Sequence, residues 1–237
     1  MPNGERQAPA YDAVAELYDR AFADIRVRRV EWRWLMRRLR ELQAPPRVLD
    51  IGCGTGALLR ALSPHILSGT GVDVSHGMIT QAQSREPRSA NLRFQTAADG
   101  VLPFASASFD VVVSFLSFRY LDWPRIMREA ERVLAPGGRI WVIDLCAERA
   151  RIGDTLRIAR SAARRAVLPF RSPGFARDLR ALTSHPDWHA MLARHPIRPL
   201  EDYRRFFESA LPGRRLQALD VAPSRRVVAL DSGPLFR

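Results

Sequence analysis

The sequence predicts an α/β protein built on an open, doubly wound sheet, and three observations carry that expectation. Residues 48–51 are a short apolar run that turns through Gly52, Gly54 and Gly56 into the apolar stretch 57–62, a strand turning tightly into a helix. Further runs at 69–74, 109–114 and 139–145, dense in β-branched residues, alternate with stretches whose apolar residues recur at helical spacing, as parallel strands with crossover helices require. The end of the chain breaks that rhythm. Residues 216–221 and 226–231 are joined only through Ala222-Pro223-Ser224, too few residues for a crossover, so they read as an antiparallel hairpin.

The elements follow in order. Residues 1–9 are polar with two prolines and are expected to be disordered. Tyr11, Val14, Ala15, Tyr18, Phe22 and Ile25 make a helical stripe, and Trp32, Leu35, Met36 and Leu39 make a second before Pro45-Pro46. Residues 47–51 are the first strand, 69–73 the second and 92–96 the third, each of the first two carrying an acid at or near its end, Asp50 and Asp73. Residues 109–114 are the fourth strand; Asp122 then caps a helix with Pro124 in its first turn, whose Ile126, Met127, Ala130, Val133 and Leu134 face the sheet. Pro136-Gly137-Gly138 stops that helix ahead of the fifth strand, 139–145. About fifty residues then intervene. Ile152, Leu156, Ala159, Ala163 and Val167 form an apolar stripe beside Arg157, Arg160, Arg164 and Arg165; a Pro/Phe/Gly-rich passage at 168–175 and short helical pieces follow. An insertion of that length after a strand reads as a lid over a pocket. Tyr203, Phe206, Phe207, Ala210 and Leu211 mark a last helix before the hairpin.

The glycine turn is a nucleotide cradle, because ligand can approach backbone that lacks Cβ atoms. Read as Gly52-x-Gly54-x-x-Ala57 with Asp73 beyond, it fits a dinucleotide fingerprint and leaves a nicotinamide oxidoreductase open. Asp50 points elsewhere: a carboxylate there suits a cationic amino or sulfonium group better than a pyrophosphate. The stretch 48–56 resembles the first motif of class I S-adenosylmethionine-dependent methyltransferases. Residues 71–75, 102–104 with 108–112, and 132–138 follow in the order and spacing of that family, so the resemblance covers roughly 45–145 and is most similar to its type 11-like, small-molecule branch.

That resemblance implies a Rossmann-like, seven-stranded class I methyltransferase sheet with an antiparallel C-terminal hairpin and a helical lid. It divides the chain into cap helices (1–44), an S-adenosylmethionine-binding core (45–146), a lid insertion (147–198) and a closing helix and hairpin (199–237). It implies S-adenosyl-L-methionine as cofactor, held by Asp50 and the loop residues Gly52, Cys53 and Gly54, with Asp73 on the ribose hydroxyls and Val74 on the adenine face. Met78 stands beside the adenine or in the core. Asp99 takes the adenine amino group with the backbone of Gly100 reaching the ring, although the loop 99–102 is one residue shorter than usual. Tyr18 lies near the donor or belongs to the core stripe of its helix, and Ser114 and Phe115 close the crevice at the end of the fourth strand. Arg119 and Tyr120, just beyond, are the candidates for touching the acceptor; Arg119 pairs with carboxylate or enolate oxygens there, or with a structural acid.

Composition bounds the function. Apolar content of 46% and charged content of 26% are those of a globular chain, no window has the length of a membrane span, and the start has no signal-like apolar core. Two cysteines make neither a metal pair nor a disulfide framework, and the chain reads as cytoplasmic. Net charge is +12, all from arginine; residues 149–237 hold 18 arginines against 8 acids. The basic 149–237 segment suggests an RNA or protein acceptor, against which stands the lack of an added nucleic-acid module or an Asn-Pro-Pro-Tyr-like tetrapeptide. Its basic helix is also compatible with peripheral contact at an anionic membrane. His185 and His189 flank Asp187 at a spacing that suits a metal, but Pro186 in the first turn and the lack of a third ligand argue for surface or packing roles, and no metal site is expected. No Ser-His-Asp or Cys-His set is legible. The reading is methyl transfer to O, N or C of a small, aromatic or anionic acceptor, with a non-catalytic S-adenosylmethionine-binding protein as the rival from another class. The oligomeric state is not legible in the sequence.

Overall fold

The computed structural model describes residues 8–85, 90–98, 100–194 and 196–236. Helices α1 (Ala8–Phe22) and α2 (Arg29–Arg40) precede β1 (Arg47–Ile51), α3 (Ala57–Leu62), β2 (Ser68–Asp73), α4 (His76–Ser84) and β3 (Leu92–Thr96). Then come β4 (Phe109–Phe115), α5 (Trp123–Val133), β5 (Leu134–Ala147), α6 (Thr155–Arg171), α7 (Pro173–Thr183), α8 (Pro186–Arg194), α9 (Leu200–Ala210), β6 (Gln217–Val221) and β7 (Arg225–Asp231). The seven strands form one sheet in the order β3-β2-β1-β4-β5-β7-β6, parallel throughout except for β7, which runs antiparallel to both its neighbours. The expected doubly wound sheet and closing hairpin are therefore present.

Period-two alternation explains the layers. Val111 and Val113 of β4 join Trp141 and Ile143 of β5 in a cluster with Trp34, Leu35 and Leu58 from α2 and α3. Val112 turns to the other face, where Ile140, Val142, Leu230, Met127, Ala130 and the α9 residues Tyr203 and Phe207 pack. One face of each strand thus feeds each helical layer. The Asp122 cap is made, its side chain accepting from the Arg125 N–H at 3.1 Å. Leu134 is in β5, paired with Phe109, instead of on the helix.

Two expectations at the edges change. The first helix begins at Ala8, within the segment expected to be disordered, while residues 1–7 lie outside the described residues. The Pro/Phe/Gly-rich passage is helical: α6 runs through Pro169 to Arg171 and α7 starts at Pro173, where proline suits a first turn. A third cluster, Val14, Ala21, Phe22 and Leu182, packs α1 against α7, so the segment after β5 folds back onto the first helix. No helix among the described residues is long and apolar enough to cross a membrane.

Candidate active site

Strand order reverses beside β1, which pairs with β2 on one side and β4 on the other. Crossovers diverge there and leave a crevice at the carboxyl ends of the strands. A cavity of roughly 410 Å³ occupies it, with α1 and the α7–α8 segment on the opposite wall.

At one end the glycine turn meets β2. The Asp73 carboxylate accepts from the Gly54 N–H at 2.8 Å and from the Ser75 N–H at 3.0 Å, one bond to each oxygen. Each oxygen keeps a second lone pair, so the group is oriented yet still able to accept from a vicinal diol. Burial raises its pKa, and the backbone N–H groups of Ser75, Gly54 and Val74 oppose that rise. The glycines have separate reasons. Gly52 has φ +75°, and a Cβ there would lie 2.5 Å from the Ser117 side chain, which donates to the Ile51 carbonyl at 2.8 Å. Gly54 faces open cavity: a Cβ would meet only Tyr18, at 3.6 Å. Val74, Met78, Ala97, Gly100 and Leu102 continue the wall.

Asp50 lies behind this wall, 1% exposed, and its Oδ1 has no hydrogen-bond partner. Burial first, and the Asp73 charge second, push its pKa up to about 8. Cys53 and Ser114 also stand back from the cavity. The Cys53 N–H donates to the Val72 carbonyl at 3.0 Å, its thiol is buried, and burial raises its pKa; the Ser114 hydroxyl pairs with that of Ser117 at 2.9 Å. Asp99 lies outside the described residues. Of the remaining site residues read from the sequence, Tyr18, Gly52, Gly54, Asp73, Val74, Met78, Gly100, Phe115, Arg119 and Tyr120 all line the cavity. Asp19, the neighbour of Tyr18, points away into an ion pair with Arg85.

The other end is cationic. Arg119 pairs with the fully buried Asp144, its guanidinium at 2.6 Å from Oδ1 and its backbone N–H at 2.6 Å from Oδ2, and it donates to the Tyr120 hydroxyl at 2.8 Å. Asp144 also accepts from Tyr203 at 2.9 Å. Arg28 reaches the same cavity across the Phe22 ring, 4.8 Å from its centroid, with Glu31 at 3.8 Å, and Arg225 enters from the start of β7. Burial lowers the Arg28 pKa; Glu31 and Tyr18 oppose this, while Arg119 and Arg225 add to it, as neighbouring like charges do. Trp188, His189, Leu192 and Ile197 complete the wall, with Trp188 6.2 Å from the Tyr18 ring.

Leu116 and Ser117, in the stretch 115–121 that the sequence places at the crevice, line the cavity, whereas sequence reading missed Phe22, Arg28, Ile197, Arg225 and Val227. The positive φ of Leu116, +60°, has no local residue type announcing it, and Arg225 joins from far along the chain. The segment after β5 supplies cavity wall through α7 and α8, not through the α6 stripe: Ile152, Leu156 and Val167 are solvent-exposed, at 97%, 61% and 42%. His185 is engaged with Asp187 at 3.7 Å while His189 faces the cavity, so the two do not converge, and the described residues hold no group of three or more potential metal ligands.

Comparison with known proteins agrees with this geometry. Residues 49–142 match the methyltransferase domain family model. The uncharacterized methyltransferase YcgJ of Bacillus subtilis is 36% identical over 113 residues, 46% of this chain and 45% of that protein. The demethylmenaquinone methyltransferase of Thermus thermophilus is 35% identical over 141 residues, 58% of this chain and 61% of that one. The chain therefore spans about half the length of such relatives. Among solved structures, the [4+2]-cyclase SpnF superposes with a TM-score of 0.61 at 20% identity, covering 98% of this chain and 96% of that one, which speaks to the fold alone. Residues 49–142 are therefore a methyltransferase domain by family match, set within a seven-stranded sheet of the order β3-β2-β1-β4-β5-β7-β6.

Proposed function

We propose that the protein transfers a methyl group from S-adenosyl-L-methionine to O, N or C of a small, anionic acceptor. The observation that carries this reading is the Asp73 carboxylate, fixed by two backbone N–H groups beside the open face of Gly54 in an otherwise apolar wall. The residues present fit the cofactor. Asp73 would take the ribose hydroxyls, Val74 and Met78 would flank the adenine, and the unpartnered Oδ1 of Asp50 is an acceptor held for a cationic group. When bound, the cofactor supplies an electrophilic methyl on a sulfonium. The chain's own part is to align and to exclude water: Tyr18 and Trp188 close one side, and Val227, Leu192 and Ile197 keep the acceptor end dry. Arg28 and Arg225, beside an Arg119 that is shared with Asp144, favour the deprotonated, nucleophilic form of the acceptor and orient it.

The same reading keeps the division into cap (1–44), core (45–146), lid (147–198) and closing segment (199–237), because α1, the strand ends and α7–α8 each furnish one wall. Two free, buried cysteines support a reducing, cytoplasmic setting.

A second reading has support in the SpnF likeness: this fold hosts chemistry other than methyl transfer, so a bound cofactor alone does not establish turnover. The test separates them. S-adenosylhomocysteine should raise the melting temperature, by about 2.7 kcal/mol of stability at one hundred times its Kd, and Asp73→Ala should remove most of that shift. A shift with NAD instead, or an undiminished shift in Asp73→Ala, would overturn the cofactor assignment. A radiolabelled methyl that reaches no member of a panel of small carboxylates, enols and phenols would favour the binding-protein reading.

A further inference from the structure

Helix α6 carries an apolar stripe on its outer side. Its side toward the protein is held by polar ties around the half-buried Ile158 and Leu168: Asp154 just before it pairs with Arg226 at 2.6 Å, Ser161 donates to Asp220 at 3.0 Å, and Arg157 donates to the Ala218 carbonyl at 2.7 Å. The apolar residues Ile152, Leu156, Ala159, Ala163, Val167 and Phe170, spaced by three and four, are all exposed. Phe170 is 88% and Ile152 97% exposed, a degree of exposure that a folded chain does not ordinarily give to a helical stripe. The helix carries no acid, and the exposed Arg160 and Arg171 flank the stripe.

We propose that α6 is a docking face for the surface of an anionic phospholipid bilayer. A 17-residue helix, about 25 Å long, lies flat with Leu156, Val167 and Phe170 in the acyl boundary and its arginines at headgroup level. Charge decides the occupant. A second copy stacked on this stripe would set Arg160 and Arg171 against their own counterparts with no acid on either helix, whereas anionic headgroups complement them. The ties to Asp220 and Arg226 hold the opposite side inward, so the stripe cannot roll in to be buried. This inference is independent of the reaction proposed above.

Flotation of the full chain with vesicles tests it. The protein should float with phosphatidylcholine vesicles that contain phosphatidylglycerol, not with phosphatidylcholine alone, and less in high salt. Leu156→Asp with Phe170→Asp should abolish flotation; Arg160→Ala should weaken it roughly fivefold, the value of one arginine near a charged surface. Since these side chains are exposed, the melting temperature and its response to S-adenosylhomocysteine should stay as in the parent. Failure to float with anionic vesicles, or equal flotation of the double variant, would overturn the proposal. A dimer in sedimentation that the double variant dissolves, without flotation, would overturn it too and give the face to a second copy.

Discussion

Asp50 shows how burial, with a like charge nearby, sets a residue's chemistry. With its pKa pushed up to about 8 by burial and by Asp73, it takes a proton on folding between its ordinary carboxylate value and that point. An acid whose folded pKa is raised costs stability as it ionises, so unliganded protein should lose stability as pH rises from about 4 to 8, at no more than about 1.4 kcal/mol per pH unit for this group. Asp73, shifted in the same direction, adds to the slope. Chemical denaturation across that range should show the decline, and Asp50→Asn should flatten it; an identical slope in the variant would place the proton elsewhere. Arg119 makes the opposite case. It neutralises Asp144, which is fully buried, so Arg119→Ala strands a carboxylate and should cost about 3–5 kcal/mol as well as turnover. Arg225 is exposed at the cavity rim, and Arg225→Ala should raise KM for an anionic acceptor while leaving the melting temperature and S-adenosylhomocysteine affinity close to the parent values.

At the scale of the element, the turn from β1 into α3 divides its work between glycines that look alike in sequence. Gly52 is required by the fold: its left-handed φ and the Ser117 side chain both exclude a Cβ. Gly52→Ala should therefore lose stability, by about 1–2 kcal/mol from the backbone alone, and further from the clash. Gly54 opens on the cavity, so a methyl there competes with ligand; Gly54→Ala should reduce S-adenosylhomocysteine affinity further than its own φ strain reduces stability. Binding titrations and melting curves on the two variants separate the roles, and equal losses of both quantities in both would refute the division. Helix α6 is likewise held by few groups. Arg226, paired with Asp154, ties its start to β7 and holds the Asp154 carboxyl down at about 2. Arg226→Gln should expose the α6 backbone to trypsin sooner than the sheet.

Across the whole molecule, charge and cavity are arranged together. Residues 149–237 hold 18 arginines against 8 acids, and Arg225 from that region meets Arg28 and Arg119 from the remainder at one end of one cavity. Exposed charge of that sign raises the encounter rate of anions and is screened beyond about 8 Å at physiological ionic strength. The kcat/KM for an anionic acceptor should fall with added salt; a flat dependence would mean that the arginines serve packing only. The α7–α8 segment forms the wall opposite the strand ends and packs on α1 through Leu182. Ligand binding should protect Arg177 and Arg180 from trypsin and leave Arg160, on the outer face of α6, as open as before.

The sequence by itself determined the parts whose cause is local. Period-two and helical spacing produced the strand and helix order, Asp122 announced its cap, and the glycine turn with Asp73 located one end of the cavity, because backbone φ and strand ends are set within a few residues. Tertiary structure decided what depends on partners far along the chain. The sequence left Arg119 a choice between acceptor and structural acid, and the arrival of β5 supplied Asp144. It gave α6 an apolar stripe but not the direction the stripe faces, which Asp220 on β6 and Arg226 on β7 fix by drawing the opposite side inward. It gave no sign that Arg28 and Arg225 would share a cavity. Periodicity sorts residues onto faces; which face is buried, and which charges meet, follows from long-range packing, where desolvation and Coulomb energies are set by neighbours the local sequence does not contain.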